Sequence, residues 1–326
     1  MIKYFTAALL ILKTLSKIFT IYLNLRNYYN LHFVLKIGIL KMRKFIFNKP
    51  KWSTEPEPLD FKVVNQPLEE VKNQVISNLK KENRKPNNFY FLLKGLLTTS
   101  FQTYKAICTL VAKDPKYPTQ SHILGRSLID TFFTIVMLVE KPLEYSKKYE
   151  LAGYRVIWEG YDRELKRYGN DPKWKPDLDE KKKYLDDSAE FFSLSEDEKV
   201  NPLKHIKYWP IPSQMLKFKM VCKEKQILLE EVYSWQYRQS SEWSHQAWGG
   251  MAAGVFATMP EHHWHPGKFE SDAVYTGILF LLMILSEIEA ACNYGLKQKL
   301  RYIWTILNSY FEEAANYYCM RYNGLL

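Results

Sequence analysis

Glycine is scarce in this chain, with 13 residues in 326. Dinucleotide-binding α/β folds and β-sandwiches depend on glycine at many turns, so both are disfavoured. Alternating apolar and polar residues bounded by hairpin signals are also missing, which leaves no sheet to build. Cysteine is sparser still: Cys108, Cys222, Cys292 and Cys319 lie far apart, with no C-x-x-C pair. That argues against a disulfide framework or a cysteine-rich zinc site and fits a reducing, cytoplasmic setting. The chain contains no G-x-x-x-x-G-K-[ST], no G-x-G-x-x-G and no H-E-x-x-H. The phosphate-loop, dinucleotide and zinc-peptidase readings therefore lose their signatures, and no cofactor is expected.

Acidic residues are wholly absent from the first 50 positions. Residues 1–50 hold nine Lys or Arg and no Asp or Glu, so the formal charge of +11 leaves +2 for residues 51–326. The basic pI belongs to this arm and is not the footprint of a nucleic-acid surface spread over the body. The arm's apolar runs, Tyr4–Leu12, Ile18–Leu25 and Leu31–Leu35, are all far shorter than the roughly 18–20 residues of a simple spanning helix. It reads either as a basic apolar helix making peripheral contact with an anionic membrane, or as a docking or extending segment, with Met42 as an alternative start. Residues 51–66 read as a linker, rich in proline over Lys51–Asp60.

What remains is strongly helical. Phe89, Leu92, Leu93, Leu96, Leu97, Phe101, Tyr104, Ile107 and Leu110 repeat mainly at three and four residues, predicting a helix over Phe89–Lys113. Similar patterns predict helices over Pro67–Glu82, Ser121–Val139, Pro142–Tyr168, Gln214–Gln246, Ser271–Lys297 and Leu300–Tyr318. The expected fold is all-α, a multi-helix bundle over residues 67–320. Residues 169–212 interrupt it as a charged helical and loop insertion, with short helices expected near Asp179–Phe192 and Ser195–Asn201.

The densest chemistry lies in Y-R-Q-S-S-E-W-S-H, residues 237–245. Six residues separate Arg238 from His245, and seven helical steps return to within about 20° of the starting direction. Arg238, Glu242 and His245 then share one helix face, with Gln239 beside Arg238. Arginine grips phosphate with a fork of donors, and histidine exchanges protons near neutral pH. Together they suit metal-free RNA cleavage, in which a 2′-hydroxyl attacks the adjacent phosphate. Against this stands a structural pairing of Arg238 with Glu242. On an earlier helix, Arg126 and Asp130 sit four residues apart on one side and read as a supporting pair or a structural ion pair.

The R-x6-H spacing resembles the motif of the HEPN superfamily of helical nucleotide-binding proteins. The body also resembles an uncharacterised family of bacterial all-helical proteins, through H-I-L-G-R-S-L-I-D, Y-E-L-A-G-Y-R-V-I-W-E and the Arg238–His245 stretch. The HEPN resemblance implies Arg238 as phosphate binder, His245 as acid or base, a homodimer with paired motifs, an RNA substrate and a role as toxin or defence effector. The competing expectation is a non-catalytic helical interaction or sensor domain, membrane-associated through residues 1–50.

Two metal readings are weaker. Glu261, His262, His263 and His265, with His245, offer carboxylate and imidazole ligands, but their H-H-x-H spacing beside a Pro266–Gly267 turn matches no strong metal motif. Glu242 and His245 form one E-x-x-H, to which Glu287 and Glu289 add carboxylates, but the second E-x-x-H of a di-iron bundle is missing. No metal is expected.

Overall fold

Apolar residues recurring every three or four positions form a stripe that a helix can bury while pairing its own backbone polar groups. A computed structural model of the chain describes residues 61–82, 84, 87–113, 118–244 and 266–322, and over these it is all-α. The basic arm of residues 1–50 and the loop holding His262, His263 and His265 lie outside the described residues.

Five long helices form the body: α1 (Phe61–Lys81), α2 (Asn87–Lys113), α3 (Pro118–Glu140), α11 (Pro266–Cys292) and α12 (Lys297–Tyr322). α2, α3 and α11 pack against one another at the centre, while α1 and α12 contact each other and α11. Phe132 and Phe133 of α3 and the run Ile278–Leu285 of α11 are sealed from solvent. Phe132 meets Phe280 with ring centroids 5.8 Å apart. By length and composition, Gln120–Glu140 and Ala273–Cys292 are apolar enough to cross a membrane. Here more than half of the first and nearly all of the second is buried inside the bundle, as core helices are.

α1 starts at Phe61, ahead of the expected Pro67, and runs through that proline. Val64, Leu68, Val71, Val75 and Leu79 form one buried stripe across it. Pro67 is the seventh residue of the helix, so its missing N–H removes one i→i−4 hydrogen bond, a cost that burial of the stripe outweighs. The α2–α11 crossing is close: a Cβ on Gly277 would stand 2.7 Å from Tyr104 Cδ2. The Tyr104 hydroxyl is in turn hydrogen-bonded to Asn65 Oδ1.

The charged insertion has structure of its own. α4 (Pro142–Tyr168) leaves the body and α5 (Lys175–Phe191) returns along it, followed by α6 (Glu196–Val200) and α7 (Pro202–His205). Tyr154, Leu185, Ala189, Leu194 and Ile206 form a second, small core there. Arg155 closes it, donating to the carbonyls of Leu203, at 3.1 Å, and Ile206 while its guanidinium lies 3.9 Å over the Tyr208 ring.

The helix expected over Gln214–Gln246 is broken. α8 (Pro212–Lys217) ends in an elbow, and α9 (Lys223–Val232) begins after it. Lys219 adopts a left-handed φ of 47° there. Distant groups hold the elbow. Tyr145 Oη donates to the Met220 carbonyl at 3.1 Å, and Cys222 N–H donates to Glu140 Oε1 at 2.9 Å. Lys225 Nζ reaches Glu140 Oε2 at 2.7 Å. Burial opposes ionisation of Glu140, yet Lys225 and the Cys222 N–H outweigh it and hold the carboxyl below its usual range. After α9 comes a π-helical turn, Tyr233–Tyr237, and then α10 (Arg238–Ser244).

Candidate functional site

The π-helical turn closes where the R-x6-H segment opens. The Arg238 N–H bonds to the Tyr233 carbonyl, five residues back. Such a turn accommodates an extra residue and re-aims the helix beyond it. From Arg238 to Ser244 the backbone is α-helical. His245 itself lies outside the described residues, as do the side chains of Gln239 and Glu242.

α10 packs against α3. Its inward residue Ser240 is 7% exposed. Ser244 Oγ donates to the Ser240 carbonyl at 2.9 Å. Arg238 points the other way, into solvent.

The supporting residues expected on α3 come together, around a partner that spacing alone did not identify. Arg126 Nη2 donates to the Tyr237 hydroxyl at 2.6 Å. The guanidinium carbon lies 4.4 Å from the Tyr237 ring centroid, a cation–π distance. Arg126 Nε is 3.7 Å from Asp130 Oδ2, within ion-pair reach. Tyr237 stacks on Tyr233, with centroids 5.1 Å apart, and tilts against Phe133. The four-residue spacing of Tyr233 and Tyr237, just before Arg238, was the available signal.

Electrostatics make this cluster a tie. Burial raises the Asp130 carboxyl above its usual range, and the Arg126 charge and the hydrogen bonds of Arg126 and Tyr237 only partly oppose it. Burial, then the negative charge of Asp130, raises the Tyr237 phenol, so it stays protonated at neutral pH. Arg126 neutralises the Asp130 carboxylate and anchors the π-helical turn. Its Nη1 is buried with no hydrogen-bond partner among the described residues.

The carboxylates considered for metal are engaged elsewhere. Glu287, sealed in the core, accepts from Arg321 Nη1 and, at 3.2 Å, from Tyr318 Oη. Glu289 accepts the backbone N–H groups of Tyr294, Gly295 and Leu296 at 3.0–3.1 Å and so caps the α11–α12 turn. Among the described residues no three His, Cys, Asp or Glu side chains converge to hold a metal.

Fold and site define an all-helical bundle protein in which a polar tie from α3 to the π-helical turn supports a solvent-facing arginine. More particularly, the chain belongs to a family of unknown function, DUF5677, which matches residues 90–260, just over half of its length. That span runs from α2 through the outlying hairpin to the R-x6-H segment and beyond. No curated protein and no solved structure matches the chain.

Proposed function

We propose that this protein is a helical interaction or sensor domain that presents surfaces to a partner and does not turn over a substrate. The observation that carries this reading is the use made of its charged clusters. Arg126, Asp130 and Tyr237 hold the π-helical turn on α3. Glu140 and Lys225 hold the elbow, and Glu287 and Arg321 hold α11 to α12. Each group is directed at a protein neighbour, as scaffold residues are, and not at an open cleft. In this reading the basic arm supplies peripheral membrane contact, in keeping with its charge and short apolar runs.

A second reading is favoured by one observation: Arg238 is exposed at the start of an unbroken helical turn. It is free to meet a phosphate, as the HEPN-like R-x6-H spacing implies. Metal-independent ribonuclease action, in a dimer pairing two such motifs, would then use Arg238 and His245.

One experiment separates them. Purified full-length protein is incubated with single-stranded RNA in EDTA. The interaction reading expects intact RNA with the wild type. Cleavage that disappears in both Arg238→Ala and His245→Ala, with helicity retained, would overturn it in favour of the second.

A further inference from the structure

The far end of the α4–α5 hairpin carries a feature that the scaffold does not use. α4 has no buried residue beyond Tyr154, so its last 14 residues run outward along the satellite core. At the tip the Tyr168 and Trp174 rings stack, with centroids 4.7 Å apart and planes at 19°. Trp174 remains 38% exposed, a costly place for an indole in a body that buries Trp304 completely. Around the stack, Lys166–Lys175 holds four cations (Lys166, Arg167, Lys173, Lys175) against one carboxylate, Asp171. Lys166 pairs with Asp162 at 2.6 Å. Asp171 Oδ1 is turned to the Lys173 N–H at 3.0 Å. Arg167, Lys173 and Lys175 are exposed and make no ion pair among the described residues. Arg167 lies 5.3 Å from the Tyr168 ring centroid, adding a cation to the stacked rings.

A stacked ring pair with its indole exposed, flanked by cations without ion pairs, matches the chemistry of a single-stranded nucleic acid, whose bases stack on aromatics and whose phosphates seek Lys and Arg. A membrane is the other anionic surface, but an interfacial anchor buries aliphatic side chains as well. Here one exposed aliphatic residue, Leu165, adjoins the tip, and residues 166–177 contain none. Asp177, Asp179 and Glu180 follow on α5, where Asp177, in the first turn, complements that helix's positive end.

We propose that this tip is a stacking platform for single-stranded nucleic acid. A base extends the Tyr168–Trp174 stack, and Arg167, Lys173 and Lys175 take phosphates on either side. The platform shares no residue with the Arg238 site, so it stands or falls apart from either reading above.

The test is fluorescence anisotropy of full-length protein with a labelled, mixed-sequence single-stranded RNA 12-mer in EDTA, the oligonucleotide being verified intact afterwards. Trp174→Ala should weaken binding about tenfold, while Trp174→Phe keeps most of it. Lys173→Gln with Lys175→Gln should reduce the slope of log affinity against log salt by about 1.4. Lys80→Gln with Lys81→Gln, of equal charge change on exposed positions of α1, should leave affinity unchanged. The proposal is overturned if the wild type does not bind, if Trp174→Ala binds as well as wild type, or if the α1 control loses as much as the tip variant. Trp174-dependent binding to phosphatidylserine vesicles without binding to the oligonucleotide would assign the tip to membrane instead.

Discussion

One helix serves two cores built on different principles. The first half of α4 puts Tyr145 and Tyr149 against the main bundle, where Trp209 meets both rings. Its second half puts Tyr154, Trp158 and Tyr161 into the satellite. The main core is a continuous apolar volume through five long helices, with its few charged groups paired inside it. The satellite's core is a cluster of five buried apolar residues, with surface ion pairs such as Lys181–Glu164 linking α4 to α5 around it. Such pairs contribute about 0–1 kcal/mol each, and five side chains cannot hold a domain alone. The satellite therefore depends on the body for its α4 anchor, whereas the main core is built without any residue of the satellite core. Independence of this kind lets an outlying hairpin carry a recognition surface without endangering the fold.

The sharpest way to break this comparison is to empty each core. Phe132 is fully buried at the α3–α11 contact. Phe132→Ala should cost about 3–5 kcal/mol, measured by urea unfolding, and lower the protection of every long helix together. Leu185 is also buried, in the satellite. Leu185→Ala should cost about 2 kcal/mol, and hydrogen exchange should show the loss confined to residues 154–206. Uniform loss of protection in both variants would mean that the two cores unfold as one.

The difference between the regions also governs what could be read from the sequence. α2, α3 and α11 are long and periodic, so spacing located the first two to within three residues and α11 to within five at each end. The elbow at Phe218–Cys222 was not legible. Its left-handed Lys219 is held by Tyr145 and Glu140, more than 70 positions away in the chain, and no local pattern carries that information. Pro67 misled because a proline marks a helix start locally, whereas the stripe across it is a tertiary fact. At the candidate site the Arg126–Asp130 pair follows from i,i+4 spacing. Tyr237, its partner, does not, since it lies 111 residues further along the chain. The π-helical turn was equally hidden, because it arises from packing and not from a residue type.

Crowding separates the regions as well, and glycine probes it. A Cβ at Gly277 meets the Tyr104 ring, which cannot swing aside while its hydroxyl is bonded to Asn65. Gly277→Ala should therefore cost about 1–3 kcal/mol through displacement of α2 from α11. The same variant with Tyr104→Ala should lose that penalty, since the ring causes it, and a double-mutant cycle by urea unfolding measures the coupling.

At Gly160, in the outward half of α4, no heavy atom lies within 4 Å of the point a methyl carbon would occupy. Alanine there meets open space, and its only effect is on the backbone. A helical glycine costs about 0.5–1 kcal/mol relative to alanine, because the free chain loses more conformational entropy when it folds. Gly160→Ala should therefore stabilise, with the opposite sign to Gly277→Ala although the substitution is the same. Because the satellite opens apart from the body, the gain should appear locally, as a roughly two- to fivefold slowing of amide exchange in the second half of α4. The midpoint of global unfolding should barely move. A global shift of the full size would tie α4's outer half to the main core and remove the independence on which the comparison rests.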